Sequence, residues 1–263
     1  MIHVDVVLKM IQMMNDIDKE FEKVEQLQKR KYPLLCGCVK DGILYPDLYE
    51  KSPLKLMIVL TEPLLNGDGN IQAPLDVDIN IEDAVYKIET HYQKELNRTW
   101  IKIAAMAYAL RNQCIYSENL SWDQMKEGLS CVSLVHLSKT PWRAKTDTKD
   151  LVYLERVCDW EPVIKKQLLS IDFDIILFGQ TWDCSSINPI NPNEVWDYRK
   201  MRDIWKYYRN TLEHKIIGIQ IFRYDNSRQI IVNGYHPSYG INDGNNACWQ
   251  TESIMDYLER FKL

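Results

Sequence analysis

The sequence predicts an α/β fold: a three-layer α/β/α sandwich on a mainly parallel central sheet, with an accessory amphipathic helix at the amino terminus. Three observations carry this. Leu56 to Leu60 (LMIVL) is apolar without alternation, as a strand must be when helices cover both faces of its sheet, and Pro63, which has no N–H for a ladder, ends it. Two more runs of the same kind follow, LSCVSLVHL at 129–137 and FDIILF at 173–178, the second closed by Gly179. Segments of helical period separate the three runs, which is the order of a parallel sheet with crossover helices.

Taken in order, Val7, Met10, Met14, Ile17, Phe21 and Val24 recur at spacings of three and four, so residues 4–30 form a long amphipathic helix. Its apolar seam spans fewer than four heptads, which favours docking onto its own domain over a coiled coil. This assigns 1–31 to an accessory helix and 32–263 to the α/β domain. Pro33, Gly37, Pro46 and Pro53 make 32–53 irregular, and the strand at 55–61 follows. A long connection with Gly67, Gly69 and Pro74 leads to helices marked by Ile81, Val85, Ile88, Tyr92 and Leu96, then by Trp100, Ile103, Ala104, Ala107 and Leu110. After the second strand comes a loop at 138–149 carrying Lys139, Arg143, Lys145 and Lys149. Asp150 caps a helix through Val157, and Pro162 begins a second helical segment. Beyond the third strand, Val195, Tyr198, Met201, Ile204, Tyr208 and Leu212 predict a further helix with a basic outer face. Residues 216–222 and 229–232 flank a turn and predict paired strands. A turn at 233–240 precedes a last helix that packs through Trp249, Ile254, Tyr257 and Leu258.

Composition narrows the function. Of 263 residues, 46% are hydrophobic and 26% charged, as in an ordinary globular protein, and the net charge of -5 argues against coating nucleic acid by bulk electrostatics. Seven cysteines form no regular framework, and the amino-terminal segment lacks the plain apolar core of a secretory signal, so a reducing cytoplasm is expected. No apolar run reaches the length of a membrane span.

Two strand-end segments stand out together, LTEPLLN at 60–66 and GYHPSYG at 234–240. In open α/β sheets ligands sit beyond the carboxyl ends of the strands, where both segments would lie. Their pairing resembles the uracil-DNA glycosylase superfamily, whose first strand ends in a motif with a catalytic Asp, Glu or Asn and whose last strand ends in His-Pro-Ser. Glu62 with Pro63, and His236, Pro237 and Ser238, stand at the matching positions. LVHLSKTP at 134–141 is similar to the family's second strand end, and residues 158–182 to the helix, strand and glycine turn that follow, so the resemblance covers about residues 55–240. It implies a glycosylase-like hydrolase that cleaves the N-glycosidic bond of uracil or another deaminated base in single-stranded or damaged DNA, with no cofactor and no membrane partner. The alternative is a module of the same fold that binds nucleic acid or nucleotide without turnover.

In that chemistry the sugar passes through an oxocarbenium-like state. A carboxylate at Glu62 orients water and balances the positive charge, while an imidazole at His236 stabilises the departing base. Lys139 and Ser238 are expected near phosphates, Arg143 beside them, and His136, Asn66 and Tyr239 complete the substrate-binding set. Two departures from the family bear on specificity and cofactor. His136 replaces the Asn that reads the base edge, and an imidazole lacks the paired donor and acceptor of a primary amide. It is expected to point into the same crevice as Glu62, and His136→Asn is expected to raise uracil excision relative to other bases. Of the four cysteines of the iron-sulfur branch, Cys36, Cys38 and Cys158 have counterparts here but Thr140 takes the third position, so no cluster is expected. No metal ligand set is expected either, since no other His or Cys stands at ligand spacing to His136.

Overall fold

The computed structural model describes residues 2–32, 38–61, 81–91, 96–140, 151–179, 181, 201–210, 216–224, 228–237 and 246–263. Within them, seven strands form one mixed sheet: β1 (Gly42–Ile43), β2 (Leu56–Leu60), β3 (Val132–His136), β4 (Ile175–Gly179), β5 (Met201–Asn210), β6 (Ile216–Tyr224) and β7 (Ile230–Gly234). Their spatial order is β1-β3-β2-β4-β7-β6-β5. The four inner strands β3, β2, β4 and β7 run parallel, with Leu60 opposite His136, Leu56 opposite Ile175 and Gly179 opposite Gly234. β1 and the β5–β6 pair add antiparallel edges. Every residue of β2, β3 and β4 is buried, which is why these strands show no alternation in sequence.

Helices cover both faces. On one lie α3 (Ile81–Glu89), α4 (Arg98–Asn112), α5 (Trp122–Leu129) and α7 (Asn246–Phe261), packed on Leu56, Ile58, Leu60, Leu134, Ile175 and Leu177. On the other, α1 (Ile2–Lys31) and α6 (Leu151–Ser170) pack on Met57, Val59, Val135, Ile176 and Phe178. A short α2 (Pro46–Tyr49) joins β1 to β2. The long amino-terminal helix docks on its own chain as expected. Phe21 meets Trp160 at 5.0 Å between ring centroids, and Lys31 reaches Asp159 at 2.7 Å.

The sequence expectation fails in three places. The helix predicted across 195–212 is, over its described part, the strand β5. Trp205 packs edge-on to Phe261 and Tyr207 donates to Asp256, both on α7, while Ile204 and Tyr208, on the other face of the strand, are exposed, and Trp205 itself keeps 38% of its surface open. The period is therefore two, and the three- and four-residue spacings of Met201, Ile204 and Tyr208 are coincidental. A bulge between Arg202 and Trp205, with Asp203 at φ +53°, further blurs the alternation. Second, α6 runs unbroken through Pro162 instead of starting again there. Pro162 withholds the N–H that the carbonyl of Cys158 would receive, and Cys158 is exposed, where solvent can serve that carbonyl. Third, α5 was not anticipated, although Ser121 and Gln124 announce it with a capping box in which each side chain accepts the other's backbone N–H.

Candidate functional site

The fold places a topological switch point at the carboxyl ends of β2 and β3. After β2 the chain enters the helices of one face (α3, α4, α5), and after β3 it enters α6 on the other, so the two connections diverge between these neighbouring strands. Such a divergence point is where open α/β sheets take ligands. The pairing continues past the strands, since Leu137 N donates to Leu60 O at 2.8 Å and Ser138 N to Thr61 O at 2.9 Å. Glu62 is the next residue of the chain. It lies outside the described residues, as do Asn66, Arg143, Ser238 and Tyr239.

His136 closes β3 with its side chain fully buried. One oxygen of Asp41 accepts from its backbone N at 2.5 Å and from Nδ1 at 3.0 Å. A carboxylate can only accept, so Nδ1 carries a proton, and in this tautomer the ring's second nitrogen, Nε2, points away from Asp41. That Nε2 is buried and has no hydrogen-bond partner among the described residues. Asp41 also receives Lys139 Nζ at 2.8 Å and, on its other oxygen, Gln167 Nε2 at 2.8 Å. Burial pushes the Asp41 carboxyl up, but the Lys139 charge and the His136 hydrogen bond outweigh it and hold the group at about 2.

Lys139, expected near a phosphate, is committed inside the protein. It is fully buried, and its three N–H groups go to Asp41, the His136 carbonyl at 2.7 Å and Gln167 Oε1 at 2.8 Å. Burial pulls its basicity down and Asp41 opposes the shift, while the three acceptors around Nζ call for the ammonium form. No donor remains for a ligand. Lys139 is thus a positioning group for Asp41 and, through it, for the His136 ring.

His236 comes to the same end of the sheet from β7. The chain leaving Gly234 turns back over the end of β4, so that a Cβ on Gly179 would stand 3.2 Å from the His236 Cα and 2.9 Å from Leu60. Glycine is required there for close approach. Gln250 of α7 fixes the turn as an extra strand would, accepting from Tyr235 N at 2.7 Å and donating to Tyr235 O at 3.3 Å. Burial first, then the nearby His136 and Lys102, lower the His236 pKa to about 4. The ring is therefore neutral at pH 7, and its environment ties the two histidines and Lys102 into one electrostatic neighbourhood.

Lys102 was missed in the sequence. It lies in α4, whose start is capped by the Asn97 side chain accepting from Thr99 N at 2.8 Å. The Lys102 side chain is fully buried, and its Nζ has no hydrogen-bond partner among the described residues. Burial lowers its pKa, with Glu118 opposing and Arg98 assisting. The available signal was a single charge inside the apolar stretch Trp100 to Ala107.

Thr140 ties two helices together. Its hydroxyl donates to Gln28 Oε1 and receives Trp160 Nε1, each at 2.9 Å. No group of three His, Cys, Asp or Glu suited to a metal occurs among the described residues. A cleft of about 270 Å³ lined by Ser170, Asp172, Phe173 and Gln229 opens at the amino ends of β4 and β7, the edge opposite the histidines, and holds no comparable cluster. No protein-family model matches this sequence, and no curated protein matches it.

Proposed function

We propose that this chain is a glycosylase-like hydrolase that cleaves the N-glycosidic bond of an altered base, uracil or another deaminated base, in single-stranded or damaged DNA. The observation that carries the reading is His236: a partly buried imidazole, neutral at pH 7, just beyond the carboxyl end of β7, with the charges of His136 and Lys102 near enough to lower its basicity. In the reaction the bond between sugar C1′ and the base nitrogen breaks, its electron pair leaves with the base, and water adds to C1′. A neutral imidazole donates its N–H to a base oxygen as negative charge collects there, and it keeps its proton throughout. Preorganised donors of this kind lower barriers by roughly 3 to 4 kcal/mol, or two to three orders of magnitude in rate. Glu62, two residues past the end of β2, supplies the carboxylate that orients water and balances charge on the sugar. The target base must leave the stack to reach a site at these strand ends, which favours single-stranded, mismatched or damaged substrate.

The test is an oligonucleotide panel with uracil, hypoxanthine, xanthine and mismatches, scored for abasic sites with the natural protein, Glu62→Gln and His236→Ala. Excision that falls at least a hundredfold in both variants supports the reading. Equal excision in all three proteins removes these residues from the chemistry. Retention of a strand without excision, with affinity falling steeply as salt rises, establishes the non-catalytic binding module instead.

A further inference from the structure

The β5–β6 hairpin has a part that the rest of the sheet does not use. The last rung between β6 and β7 joins Gln220 to Asn233, and four further rungs of the hairpin, from Tyr207 opposite Ile219 to Asn210 opposite Ile216, run on past the carboxyl end of β7. They stand at the edge of the sheet where His236 follows β7, and Gly218 N donates to the hydroxyl of Tyr235, the residue before that histidine, at 3.4 Å. One face of β5 packs on α7 through Trp205 and Tyr207. The other carries Ile204, Lys206 and Tyr208, all exposed. The Tyr208 ring lies across Gly218, so close that a Cβ there would stand 2.8 Å from both Cδ1 and Cε1, yet 64% of the residue is open to solvent. Glycine thus lets the ring lie down on the strand pair with its far side turned outward. Charge on the hairpin also runs against the rest of the chain. The whole carries a net charge of -5, but β5 and β6 hold Arg202, Lys206, Arg209 and Arg223 against one acid, Asp203, which Arg223 already takes. Lys206 stands about 7 Å along the strand from Tyr208, and it forms no ion pair among the described residues.

We propose that this face of the hairpin is a platform for single-stranded DNA, with the Tyr208 ring stacked on one base, Lys206 holding the adjoining phosphate, and the strand led from there toward His236. An outward ring accepts any base because every base has a π-face, and a cation one step away meets the backbone charge. Duplex DNA keeps its base faces inside the stack and offers nothing for the ring to lie on. A membrane surface calls for a larger basic cluster, and a protein partner for a broader apolar patch. Lys206, Gln220 and Asn233 form one row across β5, β6 and β7 on this same face, so that two half-exposed amides continue from the ammonium to the strand end that precedes His236. The platform holds a flanking nucleotide and governs how long a strand stays, not which base is excised. The choice of DNA as ligand rests on the hydrolase reading, whereas the ring, the charge and their placement rest on the hairpin alone.

The experiment measures binding of an unmodified strand. Fluorescence anisotropy follows a labelled oligothymidylate titrated with the full chain at several salt concentrations, beside an oligouridylate of the same length and a DNA duplex. The natural protein is compared with Tyr208→Ala, Tyr208→Phe and Lys206→Gln, and each is melted. The single DNA strand should bind roughly tenfold or more tightly than the duplex, and Tyr208→Ala should weaken it by about tenfold, whereas Tyr208→Phe, which keeps the ring, should stay within about twofold. Lys206→Gln should reduce the slope of log affinity against log salt by about 0.7, the share of one phosphate contact on a single strand. That exposed change decides alone if Tyr208→Ala, by uncovering Gly218, melts too low to assay. Binding unchanged in Tyr208→Ala, a salt slope unchanged in Lys206→Gln, duplex held as tightly as the single strand, RNA held more tightly than DNA, or no strand bound at all each overturns the proposal. Strand binding that depends on Tyr208 in a protein that excises nothing leaves this inference standing and removes the hydrolase reading. Excision with strand binding indifferent to Tyr208 does the reverse.

Discussion

Replacing Asp41 by Asn should be among the most damaging single changes at this site, although Asp41 touches no substrate in the proposed reaction. Its two oxygens accept four hydrogen bonds, from His136 N, His136 Nδ1, Lys139 Nζ and Gln167 Nε2, in a setting where the Asp41 and Lys139 side chains are 1% and 0% exposed. An Asn amide that keeps its oxygen toward His136 and Lys139 turns its NH₂ onto the Gln167 NH₂, donor against donor. It also leaves the Lys139 ammonium buried without a counter-charge. Breaking a buried pair from one side costs about 3 to 5 kcal/mol. In a chain of this size that lowers the melting temperature by roughly 6 to 20 °C. Urea unfolding followed by tryptophan fluorescence measures the loss directly, and the double variant Asp41→Asn/Lys139→Met should recover much of it, because the stranded charge is gone. The acid limb supplies a second check. The carboxyl is held at about 2 against an ordinary 3.8, so its contribution is complete above 3.8 and disappears as pH falls through 2. That contribution is about 2 kcal/mol. A loss below about 1 kcal/mol for Asp41→Asn, or no recovery in the double variant, would refute the account of Lys139 as a charge held in place by Asp41.

Three further outcomes are expected. The His236 pKa of about 4 lies below its ordinary 6.5, so the unfolded chain takes up a proton first and stability, complete above pH 6.5, should fall by about 3 kcal/mol between 6.5 and 4. Urea midpoints across that range should flatten in His236→Gln, and an unchanged slope would assign the effect to other groups. Gln250→Leu removes both bonds to the Tyr235 backbone without touching the proposed site, so strand-end hydrogen exchange at Tyr235 and His236 should accelerate and excision should drop at least tenfold. Unaltered exchange would show that the turn holds itself. Gly128→Ala drives a methyl to 2.4 Å from the Ala104 carbonyl where α5 crosses α4, and should cost about 1 to 3 kcal/mol in chemical denaturation. A neutral result would mean that the two helices part easily.

The buried strands were readable in advance because burial on both faces leaves one mark, an unbroken apolar run between Pro and Gly, and LMIVL and FDIILF carry it without competition from a helical reading. MRDIWKYYRN misled because its side chains alternate only weakly around a bulge, while the spacing of Met201, Ile204 and Tyr208 imitates a helix. The site was readable only at its strand ends. His136 and His236 come into one neighbourhood because parallel strands finish together, which motif order can suggest. The fate of Lys139 depends on Asp41, 98 positions earlier in the chain, and on Gln167, 28 positions later. No local pattern announces those partners, so a lysine in a basic loop looked like a phosphate ligand and proved to be interior. Lys102 was hidden for another reason: a lone lysine in an apolar helical stretch gives no local sign that its side chain is fully buried.

The strand order also governs how this chain must be made. β2 is the second strand synthesised yet lies in the middle of the sheet, with Leu56 paired to Val132 on one side and Ile175 on the other. A ribosome adding about 5 to 20 residues per second therefore emits β2 roughly 6 to 24 seconds before β4 exists to cover its second edge. During that interval five apolar residues with unpaired backbone groups stand open to other nascent chains. β7, β6 and β5 can pair among themselves as a local meander at the end, whereas the central strands wait on distant ones. Yield of native protein should thus respond more to translation speed between residues 60 and 175, and to chaperones that shield strand edges, than to any change at the carboxyl-terminal hairpins.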